Sequence, residues 1–563
     1  MAHLCRLATM LGCCAAWFAS VACGCGLAGS LEESVGNIDR LLAEHWQRRG
    51  VVPAPVASDG ELFRRTTLDL LGRLPTLAEV QAWEKEKGQA ATATGDRHAA
   101  VVERWLASPE FSLQLAAVLD EFIQGRQAGL EPFVDYLRQA MLTGKSWDTL
   151  FRELLAGGGE SAAPPAAALF VDKRSKDLDQ LTVDTARAFF GVDISCARCH
   201  DHPLVPDWTQ RHYYGLAAFL QRPAGDGQKK KADAAGTVTF LGRDGQQHVA
   251  APMFLSGSGV ATPEEPGPKR RRQLVELALA ERQFLSRALV NRLWEYFLGR
   301  GFVEPVDQLH TGNPASIPEL LDFLAQEVVD RQYDVRQLVR LVMLSRAYRA
   351  SSQWESAAAV PDPGDFAVMR LRPLSPRQFG LSLLATTGET QWEETDPLDQ
   401  RVERLFQANG ASRVRQVLNW ESSLPPLIKE LDPRVAGFQS SAREALFVTN
   451  GEPLRRLLAP AGRNLAVRLS ESDDARQATE QAYRVLLQRS PDDEERSRCI
   501  EFLQSWNTSA SRDASASAAT DPPIRDAAQS GEATSATRSR PPAAACAELI
   551  WIIVSSAEFR FNH

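Results

Sequence analysis

From Leu31 onward, apolar residues return at intervals of three and four, and glycine and proline close the first runs. That spacing is the signature of amphipathic α-helices, and it constrains the chain more than any other feature. Val35, Ile38, Leu41, Leu42 and Trp46 form the first stripe, stopped by Gly50 and the Pro53/Pro55 pair. Asp59 is placed to cap a second helix carrying Leu62, Leu68, Leu70 and Leu71, which Gly72 and Pro75 end. Thr76-Leu77-Ala78-Glu79 reads as a capping box opening a third. Further helices are expected over residues 101–106, 111–122, 133–142, 147–155, 180–190, 213–220, 269–279, 284–298, 318–331 and 335–345. The expected fold is mainly α: two helical domains, 31–222 and 269–506, joined by a small β-hairpin insertion at 223–268. Within that insertion Val238–Phe240 and Val249–Phe254 read as strands about an Arg243-Asp244-Gly245 turn. Residues 507–542, rich in Ser, Ala, Thr and Asp, are expected to be a disordered low-complexity loop. A terminal helix at 543–563 then packs on the second domain to hide Trp551. No fixed-period repeat is visible.

The 563 residues are 44% hydrophobic and 24% charged, enough to bury a sizeable core. The formal charge of −8, from 63 basic and 71 acidic side chains, argues against a nucleic-acid partner. The one basic run, Lys269-Arg270-Arg271-Arg272, reads as a solvated first helical turn rather than a dock for an acidic partner. At the N-terminus, weakly basic Met1–Arg6 leads into apolar Leu7–Val21, and Ser20-Val21-Ala22 offers small residues to a signal peptidase. Residues 1–22 are therefore expected to be an export signal, placing the protein in the periplasm or cell envelope. Cys23 follows directly, which keeps lipid attachment there as an alternative, although Ser20 stands where a lipoprotein signal normally has leucine. Of nine cysteines, five lie in or beside the leader, so no disulfide scaffold is expected. Cys499 and Cys546 could pair with each other, but read rather as small buried hydrophobes.

One stretch carries chemistry. Cys196-Ala197-Arg198-Cys199-His200 has the spacing of a c-type haem attachment site. Two thiols three residues apart on one helical turn reach the two vinyl groups of a porphyrin, and the adjacent imidazole is carried toward the iron. The leader agrees with this, since haem c is attached outside the cytoplasm. Zinc held by Cys196, Cys199, His200 and His202 is the rival, as is a Cys196–Cys199 disulfide; adjacent Cys199 and His200 suit one zinc ion poorly. A redox dithiol would sit in a βαβ setting, and none is indicated here. His212, His248, Met253 and His310 stand as sixth ligands to the iron. Asp201, Trp208, Tyr213 and Tyr214 crowd the motif. The reading is a single-haem electron-transfer or redox-partner protein. The alternatives are a non-redox interaction protein with a metal or disulfide staple, and a haem peroxidase-like enzyme.

The surrounding residues resemble the planctomycete cytochrome-like domain. Phe190-Gly191-Val192 leading into the Cys-Cys-His motif carries the resemblance, followed by Asp201-His202-Pro203, Trp208-Thr209-Gln210 and Tyr213–Phe219. It extends back through Ile38-Asp39-Arg40, Phe63-Arg64-Arg65 and Leu68–Thr76. The companion domain is similar in Ser286–Trp294, Gly299–Asp307, Asn313-Pro314, Ser345–Tyr348 and Ser556–His563. The resemblance implies an exported protein of planctomycete-type bacteria, with sulfatase-like exported proteins as neighbours, and no assigned reaction. Leu204 departs from it where an aromatic residue is common, as does the insertion at Gly225–Ala235.

Overall fold

Side-chain caps and left-handed glycines punctuate the helices, as the sequence pattern requires. Ser30 accepts from the Glu33 amide to open Leu31–Arg49, and Gly50 closes that helix at φ 65°. Ser58, rather than Asp59, caps Asp59–Leu71, accepting from the Glu61 amide at 3.2 Å; Asp59 takes the first helical position, where its charge favours the helix dipole. Thr76 and Glu79 form the expected capping box. The computed structural model describes residues 29–89, 96–125, 131–157, 163–221, 238–242, 245–260, 263–265, 267–354, 359–388, 411–428, 431, 442–517 and 540–563. The leader and Cys23 lie outside the described residues, as do residues 223–237 of the 223–268 insertion, its Arg243-Asp244 tip and residues 518–539. The fold is mostly helical, with two small antiparallel sheets of two strands each.

The chain divides into two compact units. The first gathers Met1–Gly50, Gly144–Tyr296 and Arg300–Ser345, and the second Val51–Thr143, Phe297–Gly299 and Arg346–His563. Neither coincides with a linear range such as 31–222 or 269–506, because ion pairs and packing join segments far apart in sequence. In the first unit, Leu31–Arg49 packs on Pro318–Asp330 through Ser34, whose hydroxyl donates to Glu327 at 3.0 Å while Arg331 grips both. Helix Gln283–Leu298 supplies Asn291, fully buried, whose amide donates to the Val303 carbonyl and accepts from the Val303 N–H, both at 3.0 Å. Asn291→Ala is therefore expected to lower the unfolding free energy by about 1–3 kcal/mol, because it strands buried backbone groups. Unchanged stability in a denaturant titration would contradict that structural role.

The hairpin of the first unit pairs Val238–Leu241 with Gln247–Ala250. Its second strand begins before Val249 and stops at Ala250 instead of running to Phe254, since Pro252 has no N–H to continue a ladder. The Lys269–Arg272 run is also not a solvated turn. Arg270 and Arg271 are buried, Arg270 donating to the carbonyl of Glu264 and Arg271 to that of Leu155. Burial lowers the Arg270 pKa.

In the second unit, helix Asp59–Leu71 holds the C-terminal residues. Arg64, fully buried, donates to the carbonyls of Leu486, Phe559 and Phe561, and burial brings its pKa down to about 10. Asp69 accepts from Tyr348, Arg372 and Asn562. The strand Phe561–Asn562 pairs with Arg372–Pro373. Helix Ala543–Val554 buries Cys546, Leu549, Ile550 and Ile553, and the Trp551 indole donates to Val448 O at 3.0 Å. Helix Asp493–Ser517 continues into the stretch expected to be a loop from residue 507. Cys499 and Cys546 are unpaired. Among the described residues, no helix is long and apolar enough to cross a membrane.

Candidate haem-attachment turn

Helix Leu178–Phe190 delivers the chain to the motif, and Gly191 ends it at φ 64°. A side chain at Gly191 would be strained in that conformation and would push against Leu309 Cδ1 at 2.6 Å, so glycine suits the position. Asp193 then accepts from the Ser195 amide and starts a 3₁₀ turn over Ser195–Arg198, where an α-helical turn was the sequence expectation. Ala197 is the buried residue of this turn, while Cys196, Cys199 and His200 are exposed. In a 3₁₀ turn, side chains at positions i and i+3 eclipse one another, which sets the two thiols on one side. Both are free.

The turn is tied on every side. Tyr214 and Gln210 each donate to the Arg198 carbonyl, at 2.9 and 3.4 Å, and Gln210 also reaches the hairpin at Leu241 O. The Arg198 guanidinium lies 2.8 Å from Asp179, and the Cys199 sulfur and that carboxylate together raise its pKa. Tyr213 donates to the other Asp179 oxygen at 2.6 Å; burial, then Asp179, pushes the phenol well above its usual range. Tyr214 stacks on Phe240 of the hairpin at 4.2 Å. The four aromatic and acidic residues read as crowding the motif thus build its frame: Asp201 accepts from the Gln210 amide at 2.9 Å, and the Trp208 carbonyl accepts from His202 N at 2.8 Å.

Hydrogen bonds fix the histidines in opposite tautomers. His200 Nδ1 lies 2.7 Å from the Asp201 carbonyl. A carbonyl only accepts, so the proton sits on Nδ1 and the Nε2 lone pair is left for a metal. His202 Nδ1 accepts from the amides of Leu204 and Val205, at 3.3 and 3.1 Å, which spends its lone pair on the backbone. His212 likewise accepts from the Thr209 amide at 3.3 Å, capping Gln210–Leu220 where Glu or Gln usually serves; burial lowers its pKa. Met253 is buried, its backbone set against Gly215, and His248 is exposed and stacked on Phe240. His310 sits near Asp207 and His202 with a buried Nδ1 that no group bonds among the described residues. Burial alone would raise the Asp207 carboxyl, but hydrogen bonds from the Thr311 hydroxyl and amide hold it low.

The donor set therefore fits covalent haem: two free, exposed thiols on one side of a turn, followed by an imidazole whose Nε2 is available. It fits zinc less well, since His202 has no lone pair to give. Among the described residues, no three His, Cys, Asp or Glu side chains gather to hold a metal ion. Sequence reasoning found the motif and the Gln210 segment but missed Asp179, the bridging role of Gln210 and the opposed tautomers. Hydrogen bonds to distant partners create all three, and no local pattern announces them.

Two family models match the chain. Residues 37–224 match PSCyt2, a protein of unknown function (DUF1549), and residues 270–503 match PSD1, a protein of unknown function (DUF1553). No curated protein and no solved structure matches it. Carrying both domains in this order over most of its length, the chain belongs to the planctomycete cytochrome-like two-domain family, whose function is unknown.

Proposed function

We propose that the chain is an exported single-haem c-type cytochrome-like protein that exchanges electrons with a partner, with Cys196 and Cys199 as thioether anchors and His200 as axial ligand. The supporting observation is the His200 tautomer, with Nδ1–H on the Asp201 carbonyl and Nε2 free. When bound, haem supplies one-electron exchange at the iron. The chain's own residues do the rest. Asp201 joins the imidazole to the start of helix Gln210–Leu220, Gln210 ties the turn to the hairpin, and Ala197 keeps both thiols facing outward. The extensive helical flanks give a redox partner, or a sulfatase-like exported protein, surface on which to dock. The leader at 1–22, with Cys23 open to lipid attachment, carries the chain to the compartment where such attachment occurs.

Production in a host with periplasmic haem-attachment machinery tests this reading. The protein is expected to be red and to keep its colour through acid extraction and a denaturing gel, with one haem per polypeptide as the ceiling for this attachment mode. Cys196→Ser and Cys199→Ser are expected to weaken retention, and His200→Ala to shift the absorption spectrum, while His202→Gln changes neither. A colourless protein holding one zinc ion, or a Cys196–Cys199 disulfide, sinks the proposal in favour of a stapled interaction protein. Rapid peroxide turnover by the coloured protein would instead favour the peroxidase-like alternative.

A further inference from the structure

The first unit contains an open cleft of about 650 Å³ that uses no residue of the Cys-Cys-His turn. Four helix ends meet around it: the starts of Trp147–Ala156 and Val335–Leu344, and the ends of Pro268–Glu281 and Pro318–Asp330. Five non-glycine residues among those described have positive φ, and three of them, Arg282, Gln332 and Tyr333 at 63°, 56° and 58°, line this one cleft. Backbone held in that region persists only where its surroundings enforce it, and such strain concentrates at ligand sites.

The groups in the lining divide into committed and uncommitted ones. Arg152 pairs with Glu276, Arg331 with Glu327 and Ser34, and Asp330 accepts from Gln326. Asp334 caps Val335–Leu344. Among the described residues, the exposed Arg282 has no ion pair, and Asp148 accepts only from the nearby Ser146 hydroxyl. Tyr333 lines the same cleft; the residue is 7% exposed, and its hydroxyl has no hydrogen-bond partner among the described residues. Both Asp148 and Arg282 act on that hydroxyl; burial, then Asp148, raises its pKa to about 12, so it stays protonated and able to donate. Leu279 and Val329 supply the apolar part of the wall.

We propose that this cleft binds a small zwitterion of the aliphatic α-amino-acid class. Arg282 and the Tyr333 hydroxyl receive the carboxylate, Asp148 receives the ammonium group, and Leu279 and Val329 lie against the aliphatic side chain. A simple anion or cation uses only half of these groups. A neutral polyol leaves the opposed charges without counterparts and finds no exposed aromatic face.

Titration calorimetry of the full chain with L-leucine is the test, with 4-methylpentanoate, isoamylamine and glucose as probes lacking the ammonium, the carboxylate or both. L-leucine is expected to bind with a dissociation constant of about 1 mM or tighter, and the three other probes at least about tenfold more weakly. Tyr333→Phe, which keeps the buried ring, and Arg282→Asn, whose side chain tolerates positive φ, are each expected to weaken L-leucine binding about tenfold, with unchanged circular dichroism. The proposal is overturned by the absence of L-leucine binding up to about 50 mM. Equal binding of 4-methylpentanoate or glucose, or wild-type affinity in both folded variants, overturns it as well.

Discussion

Arg73→Ala is expected to lower the stability of the second unit by about 3–5 kcal/mol, the largest loss from any single substitution considered for this chain. Arg73 is 1% exposed and forms two forks: Nε and Nη2 donate to the Glu110 carboxylate at 2.9 and 3.1 Å, and Nη1 and Nη2 to Glu79 at 2.8 and 3.0 Å. Nη1 also donates to Leu74 O, and the guanidinium lies 5.5 Å from the Trp420 ring centre. Burial works against the charge, but the Glu110 and Glu79 carboxylates outweigh it and raise the Arg73 pKa. Alanine would leave two carboxylates in low dielectric with no counter-charge, and Glu110 is as deeply buried as Arg73. Arg73→Lys cannot form either fork and is expected to recover little of the loss. Replacing all three residues by neutral ones of similar size is expected to recover most of it, because the isolated charges cause the penalty rather than the missing contacts. Urea titrations of the single and triple variants make the comparison. If Arg73→Ala costs under about 1 kcal/mol, the site is wetter than its burial indicates.

Helix positions were legible in the sequence because periodicity and punctuation are local. The 180–190 and 335–345 stripes appear as Leu178–Phe190 and Val335–Leu344, and Gly50 and Gly72 stop helices where expected. The errors arise where a distant partner overrides a local preference. Arg270 and Arg271 read as solvated, yet carbonyls of Glu264 and Leu155 draw them inside. Ser58 takes the cap expected of Asp59, one residue being a distinction that composition does not make. The interleaving of segments in the two units was invisible for the same reason. It depends on contacts such as Ser34 to Glu327, whose members stand 293 residues apart.

At the candidate site the sequence supplied the donors and the structure supplied their states. Cys196, Cys199 and His200 were evident from spacing alone. By spacing His202 is as good a zinc ligand as His200, but its Nδ1 accepts from two backbone amides. Tautomers follow from acceptors and donors set by loop geometry, so two histidines separated by one residue carry the same sequence signal and opposite chemistry. The zwitterion cleft left no sequence mark, since its residues come from three separated segments and its strain appears only in backbone angles.

Between pH 6.5 and about 4, His98 is expected to make unfolding progressively easier by a total of about 3 kcal/mol. The residue is 7% exposed; its Nε2 lies 3.1 Å from the Thr66 hydroxyl, and its buried Nδ1 has no partner among the described residues. Burial, reinforced by Arg349 and opposed by Asp96, lowers its pKa from 6.5 to about 4. A histidine depressed in the folded state is neutral in both states above pH 6.5, where its contribution is fully present. As pH falls through that value the unfolded chain takes up the proton first, at about 1.4 kcal/mol per pH unit, until the folded ring also protonates near pH 4. Asp120 runs the opposite way: burial raises its carboxyl to about 6, so the folded chain binds that proton first and gains stability over part of the same range. The wild-type curve therefore mixes the two, and the informative quantity is the gap between wild type and His98→Gln. Glutamine keeps a partner for Thr66 and does not titrate. The variant is expected to lose stability at pH 7.5 and to regain about 3 kcal/mol relative to wild type by about pH 4. A gap that stays constant with pH in urea titrations would show that His98 takes up its proton at the same pH in the folded and unfolded chain, and that its burial does not control its charge.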